Sequence, residues 1–205
     1  MCERVISKEH GMESWRIFFT GVGGQGTLLA TRVLGEAALV ANIPVVVSEI
    51  HGMAQRGGVV ESAVVMGEVQ SPVISDGEVD ILMAFEPLEA LRAARKCSAR
   101  SLVICNTSPV APFSVSSGRD QYPDVTSMMQ AISQRVSNLI AYDARALARE
   151  AGSELSVNMV MLGTLMRHAK MPFDEKVVKK VLQTRTKKAF LDINLKAFDL
   201  GYQVC

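Results

Sequence analysis

The sequence predicts an α/β protein in which helices cover both faces of one mixed sheet, three layers in all, with a helical C-terminal extension. Three observations support this fold class. Apolar, β-prone runs alternate with helical patterns as far as Tyr142, which is typical of sheets with parallel strands. The runs 44–49, 59–66 and 72–75 are too close together for crossover helices, so we expect them to pair antiparallel. No β-prone run follows Tyr142, so residues 156–205 are expected to be helical.

The first strand leads into a glycine-rich turn. Residues 16–27 read Arg-Ile-Phe-Phe-Thr-Gly-Val-Gly-Gly-Gln-Gly-Thr, and a long helical pattern follows them. The glycines fit the spacing G-x-G-x-x-G of a Rossmann-like strand–turn–helix unit, whose backbone amides and helix dipole can hold a phosphate. A tight turn without a ligand would need the same glycines. The candidate cofactor-binding residues are Gly21, Gly23, Gly24, Gln25 and Gly26.

An acidic residue follows at the distance that a dinucleotide-binding fold requires. Glu49 lies 23 residues beyond Gly26, at the end of the second apolar run. In dinucleotide-binding folds an acid near this position binds a ribose hydroxyl. A stand-alone NAD(P)-binding oxidoreductase is therefore one interpretation of the sequence.

A second polar segment, Ser48–Gly58, contains acid, imidazole, amide and guanidinium groups and ends in two glycines. We expect a loop, because the segment is too polar for a core and too rich in glycine for a stable helix. Either an Arg–Glu pair fixes the loop internally, or its side chains serve a subunit interface or an active-site rim; the second is favoured, and no catalytic residue is assigned. The candidate interface residues are Ser48, Glu49, His51, Gln55, Arg56, Gly57 and Gly58.

Periodicity and turn signals place the remaining elements. Asp143 is expected to cap a helix that Gly152 ends, and Asp80 is expected to be hydrogen-bonded at the start of its strand. Further strands are predicted at 79–85, 101–105 and 138–142, and helices at 25–41, 86–97, 125–136, 144–151, 157–168, 174–182 and 186–200.

Length and composition limit the possible functions. The 205 residues suit a flexible lead (1–15) and one domain (16–205), with a helical part at 156–205. A net charge of +1 and 5% aromatic residues give no basis for binding nucleic acid. The chain shows neither a signal-peptide pattern nor an apolar run long enough to span a membrane, so a cytoplasmic protein is expected.

The cysteines do not form a metal-binding pattern. Cys2, Cys97, Cys105 and Cys205 include no C-x-x-C pair, and the histidines lie elsewhere in the sequence. We therefore expect no metal site within the chain, with Cys97 and Cys105 as buried thiols.

Four motifs together resemble a known family. They are Gly21–Gly26, Ser48–Gly58, Asp80–Pro87 and Asn194–Tyr202. The sequence over residues 16–202 is similar to the gamma-type subunits of 2-oxoacid:ferredoxin oxidoreductases, and most of all to the small (beta) subunits of the indolepyruvate type. The combination is far more specific than the glycine signature alone.

The resemblance implies a subunit that is inactive alone. In this family a larger partner holds thiamine diphosphate and iron–sulfur clusters, and the complex converts a 2-oxoacid and CoA to an acyl-CoA while reducing ferredoxin. The gamma-type subunit is implied to hold no cofactor itself and to lie on the side where CoA enters. Indolepyruvate or another aryl 2-oxoacid is the expected substrate, and a homodimer is possible for the isolated chain. The alternatives are the NAD(P) enzyme and a purely structural partner subunit.

Overall fold

One mixed sheet forms the centre of the protein. The computed structural model describes residues 14–51, 58–68 and 71–205. Their six strands lie in the order β2-β3-β1-β4-β5-β6. β3 runs antiparallel to β1 and β2, whereas β4, β5 and β6 continue parallel to β1. The strands are β1 (Trp15–Val22), β2 (Val45–His51), β3 (Val59–Met66), β4 (Val79–Ala84), β5 (Cys97–Asn106) and β6 (Asn138–Tyr142).

Helices cover both faces, so the predicted three-layer architecture is confirmed. Alternate residues of β1 enter two separate cores: Ile17 and Phe19 pack on one side of the sheet and Phe18 on the other. The first face carries α1 (Thr27–Val40), α5 (Ala144–Ala151), α6 (Val157–His168), α7 (Glu175–Arg185) and α8 (Lys188–Tyr202). The second carries α2 (Pro87–Ala93) and α4 (Val125–Ser133), while α3 (Phe113–Ser116) is a single short turn.

Two predictions of secondary structure, one within the polar segment and one shortly after it, are wrong. Residues 72–75 form no strand: the segment is attached by the buried side chain of Ile74 and by Lys96, whose Nζ donates to the Ile74 carbonyl, and not by a ladder of backbone hydrogen bonds. Ser48–His51, predicted as a loop, instead extends β2 in register with β3, with Glu49 opposite Ser62. Polar residues fit there because β2 is an edge strand.

The predicted ends of one helix and the predicted start of one strand are observed, and one helix is shorter than predicted. The Asp143 carboxylate accepts a hydrogen bond from the Ala146 amide and so caps α5. Gly152 ends the same helix in a left-handed backbone conformation. The Asp80 carboxylate accepts the Arg16 amide at 2.9 Å. The helix predicted at 86–97 is shorter, because α2 ends at Ala93 and a 3-10 turn leads directly into β5.

The C-terminal helices α6 and α8 meet backbone to backbone at two glycines. A Cβ atom on Gly163 would lie 2.0 Å from the Phe198 carbonyl oxygen, and one on Gly201 would lie 1.9 Å from the Val160 carbonyl oxygen. Beside this contact Thr164 Oγ1 donates to the Gly201 carbonyl at 2.9 Å. The predicted helical extension is therefore an integral part of one face of the domain.

Among the residues that the structure describes, no helix is both long enough and apolar enough to span a membrane.

Candidate functional site

The carboxyl ends of the parallel strands meet at one edge of the sheet, where open α/β sheets bind their ligands. The glycine turn follows β1 at this edge, and Phe85 and Glu86 follow β4. Asn106 ends β5 and Asp143 follows β6. The topology thus brings the predicted turn together with three polar residues from distant parts of the sequence.

The inside of the glycine turn is filled by the side chain of Gln25. Its Oε1 accepts the Val22 amide at 2.9 Å, and its Nε2 donates to the Phe85 carbonyl at 2.8 Å. The Gln25 amide donates to the Val22 carbonyl, and the Gly23 amide donates to the Gly58 carbonyl. The turn therefore uses the amides of Val22, Gly23 and Gln25 for its own structure.

Gly26 is required by both its conformation and its packing. Its φ is +76°, in the left-handed region, and a Cβ there would lie 2.4 Å from Asn158 Nδ2. The same nitrogen donates to the Gly26 carbonyl at 3.2 Å. Gly21 is packed closely as well, because its Cβ would lie 2.8 Å from Gln25 Oε1. These two motif glycines allow close packing within the protein.

The tip of the turn, Gly23–Gly24, is exposed to solvent. A Cβ on Gly24 would meet nothing within 4 Å. Behind the tip, α1 begins without a capping side chain and without an acid in its first turn. Neither the cap nor the first turn of α1 therefore supplies a carboxylate that would compensate the positive end of its dipole.

Asn106 fixes the neighbouring strand ends and is almost fully buried. Its Nδ2 donates to the Phe85 carbonyl at 2.9 Å, the same oxygen that accepts from Gln25. Its Oδ1 accepts the amides of Ala144 and Ser108. A continuous set of hydrogen bonds thus runs from the glycine turn across β4 and β5 to the start of α5.

Ser108 and Asp143 complete this set at the surface. Ser108 Oγ donates to the Asp143 carboxylate. Partial burial alone would raise the pKa of Asp143, but the hydrogen bonds from Ser108 and from the first amides of α5 outweigh it and lower that pKa. Asp143 is therefore a stable anion that caps α5, which does not suit it for a role as a proton donor.

Glu86, unlike Asp143, is a buried carboxylate at this edge. It is 1% exposed and accepts the amides of Leu88, Glu89 and Val110. The hydroxyl of Tyr122 donates to it as well, and burial together with this carboxylate raises the pKa of Tyr122. Glu86 caps α2 and attaches the irregular segment after β5 to the domain.

Glu49 is poorly placed for a ribose. β3 lies between β1 and β2, so Glu49 stands two strands away from the strand that leads into the glycine turn. Its carboxylate instead pairs with Arg32 of α1 at 3.2 Å, which raises the pKa of Arg32. The sheet order and this ion pair argue against the dinucleotide interpretation, in which the acid-bearing strand is the direct neighbour of β1.

The polar segment is described only in part. The end of β2 contains Ser48, Glu49 and the backbone of His51. Just before β3, the carbonyl of Gly58 accepts a hydrogen bond from the Gly23 amide. Gln55, Arg56 and Gly57 lie outside the described residues. Glu49 pairs with Arg32 of α1. The interface role expected for this set of residues stays a prediction.

No group of three His, Cys, Asp or Glu side chains in the described ranges could hold a metal ion. Burial raises the pKa of the Cys97 thiol to about 11 and raises that of Cys105 as well. Both thiols are protonated and inaccessible at neutral pH, and the described residues do not fit an iron–sulfur cluster.

Asn106, Glu86 and Asn158 were not among the predicted site residues. Asn106 and Glu86 end or follow apolar runs predicted as strands, so the rule that ligands bind at carboxyl ends would have selected them. Asn158 carries no comparable signal, because it lies in an apolar helix 132 residues from its partner Gly26.

Comparison with known proteins gives this fold a family. A sequence profile described as pyruvate ferredoxin/flavodoxin oxidoreductase matches residues 16–204. The chain belongs to this family. Its sequence is 40% identical to the indolepyruvate oxidoreductase subunit IorB of Methanothermobacter thermautotrophicus over 189 residues, which are 92% of this chain and 96% of the relative. The predicted family, and with it an oxidoreductase subunit of the 2-oxoacid:ferredoxin type, is confirmed.

Solved structures share the fold. Pyruvate oxidoreductase subunit PORC from Thermotoga maritima superposes with a TM-score of 0.70 at 20% identity, covering 93% of this chain and 96% of that one. A 2-oxoglutarate:ferredoxin oxidoreductase chain from Magnetococcus marinus, solved with 2-oxoglutarate, coenzyme A and succinyl-CoA bound, gives 0.68 at 22% identity. That match covers 93% of this chain but 31% of the other, so the same fold also occurs within a much longer chain.

Proposed function

We propose that this chain is the cofactor-free small subunit of a cytoplasmic indolepyruvate or aryl 2-oxoacid:ferredoxin oxidoreductase. A larger subunit would hold thiamine diphosphate and the iron–sulfur clusters and would carry out the oxidative decarboxylation that yields acyl-CoA and reduced ferredoxin. The observation that carries this proposal is the 40% identity to an indolepyruvate oxidoreductase subunit over almost the full length of both chains.

We further propose that the glycine turn lies beside the path by which CoA reaches the partner's active site. The exposed Gly23–Gly24 tip supports this role, because a ligand or a partner backbone can approach it closely. The N-terminus of α1, whose cap and first turn carry no acid, supports it too, since it favours the phosphates of CoA. The filled interior of the turn favours contact at the tip over an enclosed pyrophosphate.

The function is tested on the native complex. The chain is tagged in its host and purified, and the complex is assayed for thiamine, iron and CoA-dependent reduction of ferredoxin with indolepyruvate, pyruvate or 2-oxoglutarate. We expect a thiamine- and iron-containing partner and the highest kcat/KM with indolepyruvate. A chain that purifies alone and binds NAD⁺ or NADP⁺ with a Kd of about 1 μM, roughly −8 kcal/mol, would restore the dehydrogenase interpretation.

The role of the turn is tested by Gly23→Glu in the assembled complex, with Gly23→Ala as the matched control. A carboxylate at the tip should repel the CoA phosphates and raise the KM for CoA about tenfold, leaving the KM for the 2-oxoacid and the subunit stoichiometry unchanged. The alanine control should behave as wild type. An unchanged KM for CoA in the glutamate variant would remove CoA from this turn.

A further inference from the structure

Two side-chain amides from distant parts of the chain meet at one backbone oxygen, the carbonyl of Phe85. From the glycine turn, Gln25 Nε2 donates to it at 2.8 Å, and from the end of β5, Asn106 Nδ2 donates to it at 2.9 Å. Phe85 is fully buried, and its amide donates to the Thr20 carbonyl of β1 at 2.9 Å. This backbone group is therefore the junction through which the end of β5 reaches the glycine turn.

The orientation of the Asn106 amide is fixed by the bonds that its oxygen makes. Oδ1 accepts the Ala144 amide at 3.0 Å and the Ser108 amide at 3.3 Å, and the residue is 1% exposed. A planar amide whose oxygen is held by two donors leaves its nitrogen little freedom of direction. The start of α5 and the segment after β5 thus set the direction in which Asn106 donates to the shared carbonyl.

The Gln25 amide passes this constraint on to the turn. While its Nε2 donates to the shared carbonyl, its Oε1 accepts the Val22 amide at 2.9 Å. A Cβ on Gly21 would lie 2.8 Å from the same Oε1, so the Gln25 amide has little room to rotate. The backbone on both sides of the Gly23–Gly24 tip is therefore held in part by the carbonyl to which the end of β5 is also bonded.

We propose that Asn106 is a positioning residue for CoA: it holds the glycine turn in the place where the turn meets CoA, and it acts through the Phe85 carbonyl and Gln25. This inference rests on the proposed function of the turn. Asn106 itself is too deeply buried to touch the ligand. A displacement of about 1 Å, caused by a substitution away from the reacting atoms, can cost about a hundredfold in rate. The anchor of an exposed glycine tip therefore matters for its ligand even though the anchor lies outside the binding surface.

A matched bond joins the same two parts of the sheet at its opposite edge. Ser101 of β5 is also 1% exposed, and its Oγ donates to the carbonyl of Val79 at the start of β4. The same oxygen accepts the Ser98 amide at 2.8 Å. Loss of either buried side chain should lower the stability of the fold, but only the loss of Asn106 should reach the glycine turn. Ser101 is therefore the control that separates a positioning role from a structural one.

The test compares Asn106→Ala with Ser101→Ala in the assembled complex. We expect both complexes to lose activity at a lower temperature than the wild type. Asn106→Ala should raise the KM for CoA about fivefold without a change in the KM for the 2-oxoacid, whereas Ser101→Ala should leave both KM values as they are. A KM for CoA that is unchanged in Asn106→Ala, or raised equally in the two variants, would overturn the proposal.

Asn106→Asp keeps the proposal testable if the alanine variant does not assemble. One oxygen of the new side chain can still accept the amides of Ala144 and Ser108, while the ionised form presents a second oxygen, and no donor, to the Phe85 carbonyl. The protonated form can still donate to that carbonyl. The ratio of the variant's KM for CoA to that of the wild type should therefore increase with pH. A ratio of one over the whole pH range in which the complex is active would overturn the proposal.

Hydrogen exchange and Gly23→Glu separate this inference from the proposed function. The amides of Val22 and Gln25 should exchange faster in the Asn106→Ala complex than in the wild type, and at the wild-type rate in Ser101→Ala. Unchanged exchange in Asn106→Ala would overturn the inference. If Gly23→Glu raises the KM for CoA and Asn106→Ala does not, this inference fails and the proposed role of the turn stands. Faster exchange with no effect of either variant on the KM for CoA would instead contradict the proposed role of the turn.

Discussion

The glycine turn after β1 and the crossing of α6 with α8 both depend on glycine, yet they differ in what lies opposite the missing side chain. At the turn, the atoms nearest to a new Cβ belong mainly to the side chains of Gln25 and Asn158. At the crossing they are the backbone carbonyls of Phe198 and Val160. Side chains can move aside, whereas the backbone of a packed helix cannot. The turn has the recognisable motif, but the crossing tolerates less change.

The strongest test of this difference is Gly163→Ala or Gly201→Ala. Each added methyl group would force α6 and α8 apart, so we expect a loss of about 3 kcal/mol in the free energy of unfolding. Urea unfolding followed by circular dichroism measures this loss. Gly35→Ala in α1 is the matched control, because its Cβ would meet only a methyl group of Val47 at 3.0 Å. Helix propensity alone would make each alanine variant more stable, so an equal loss of stability at Gly35 would show that the backbone contact is not what makes glycine necessary at the crossing.

A smaller effect is expected at the turn, from Gly26→Ala. The left-handed φ and the displaced Asn158 amide should together cost about 2 kcal/mol. The same substitution in an Asn158→Ala background should cost about 1 kcal/mol, since the collision is removed and only the backbone strain is left. Equal costs in the two backgrounds would mean that Asn158 does not constrain the turn.

The smallest effect should come from Gln25→Ala. The Val22 amide loses its acceptor, but the Phe85 carbonyl keeps its bond from Asn106, so we expect a loss of about 1 kcal/mol. The exposed Gln183→Ala serves as the control and should change the stability by less than about 0.5 kcal/mol. If the two variants unfold at the same urea concentration, the turn does not need its internal side chain.

Local patterns predicted much of the fold. The alternation of strands and helices, the antiparallel start of the sheet and the caps at Asp143 and Gly152 all follow from short-range sequence signals, and the structure confirms them. The loop predicted at Ser48–His51 was wrong because backbone pairing with β3 outweighed the polar composition. Composition describes what a residue prefers, whereas a neighbouring strand decides whether its backbone is paired.

The site was harder to predict, because its contacts join residues far apart in the chain. The motif located the turn, but no local signal indicates that Gln25 fills it or that Asn158 supports it. Glu49 was expected near a ribose or a loop arginine, and its partner is Arg32, a residue of the preceding helix. Gly163 is one small residue in an apolar helix, and its need to be glycine appears only once α8 lies against it.

The bond between Asn158 and the Gly26 carbonyl has a consequence for how the chain is made. The turn leaves the ribosome 132 residues before the side chain that supports it. At about 5 to 20 residues per second, this interval is roughly 7 to 26 s. During that time the strand and the glycines exist without their neighbour from the last third of the chain. A nascent chain stalled before residue 158 should therefore expose the turn to a protease that the finished protein resists.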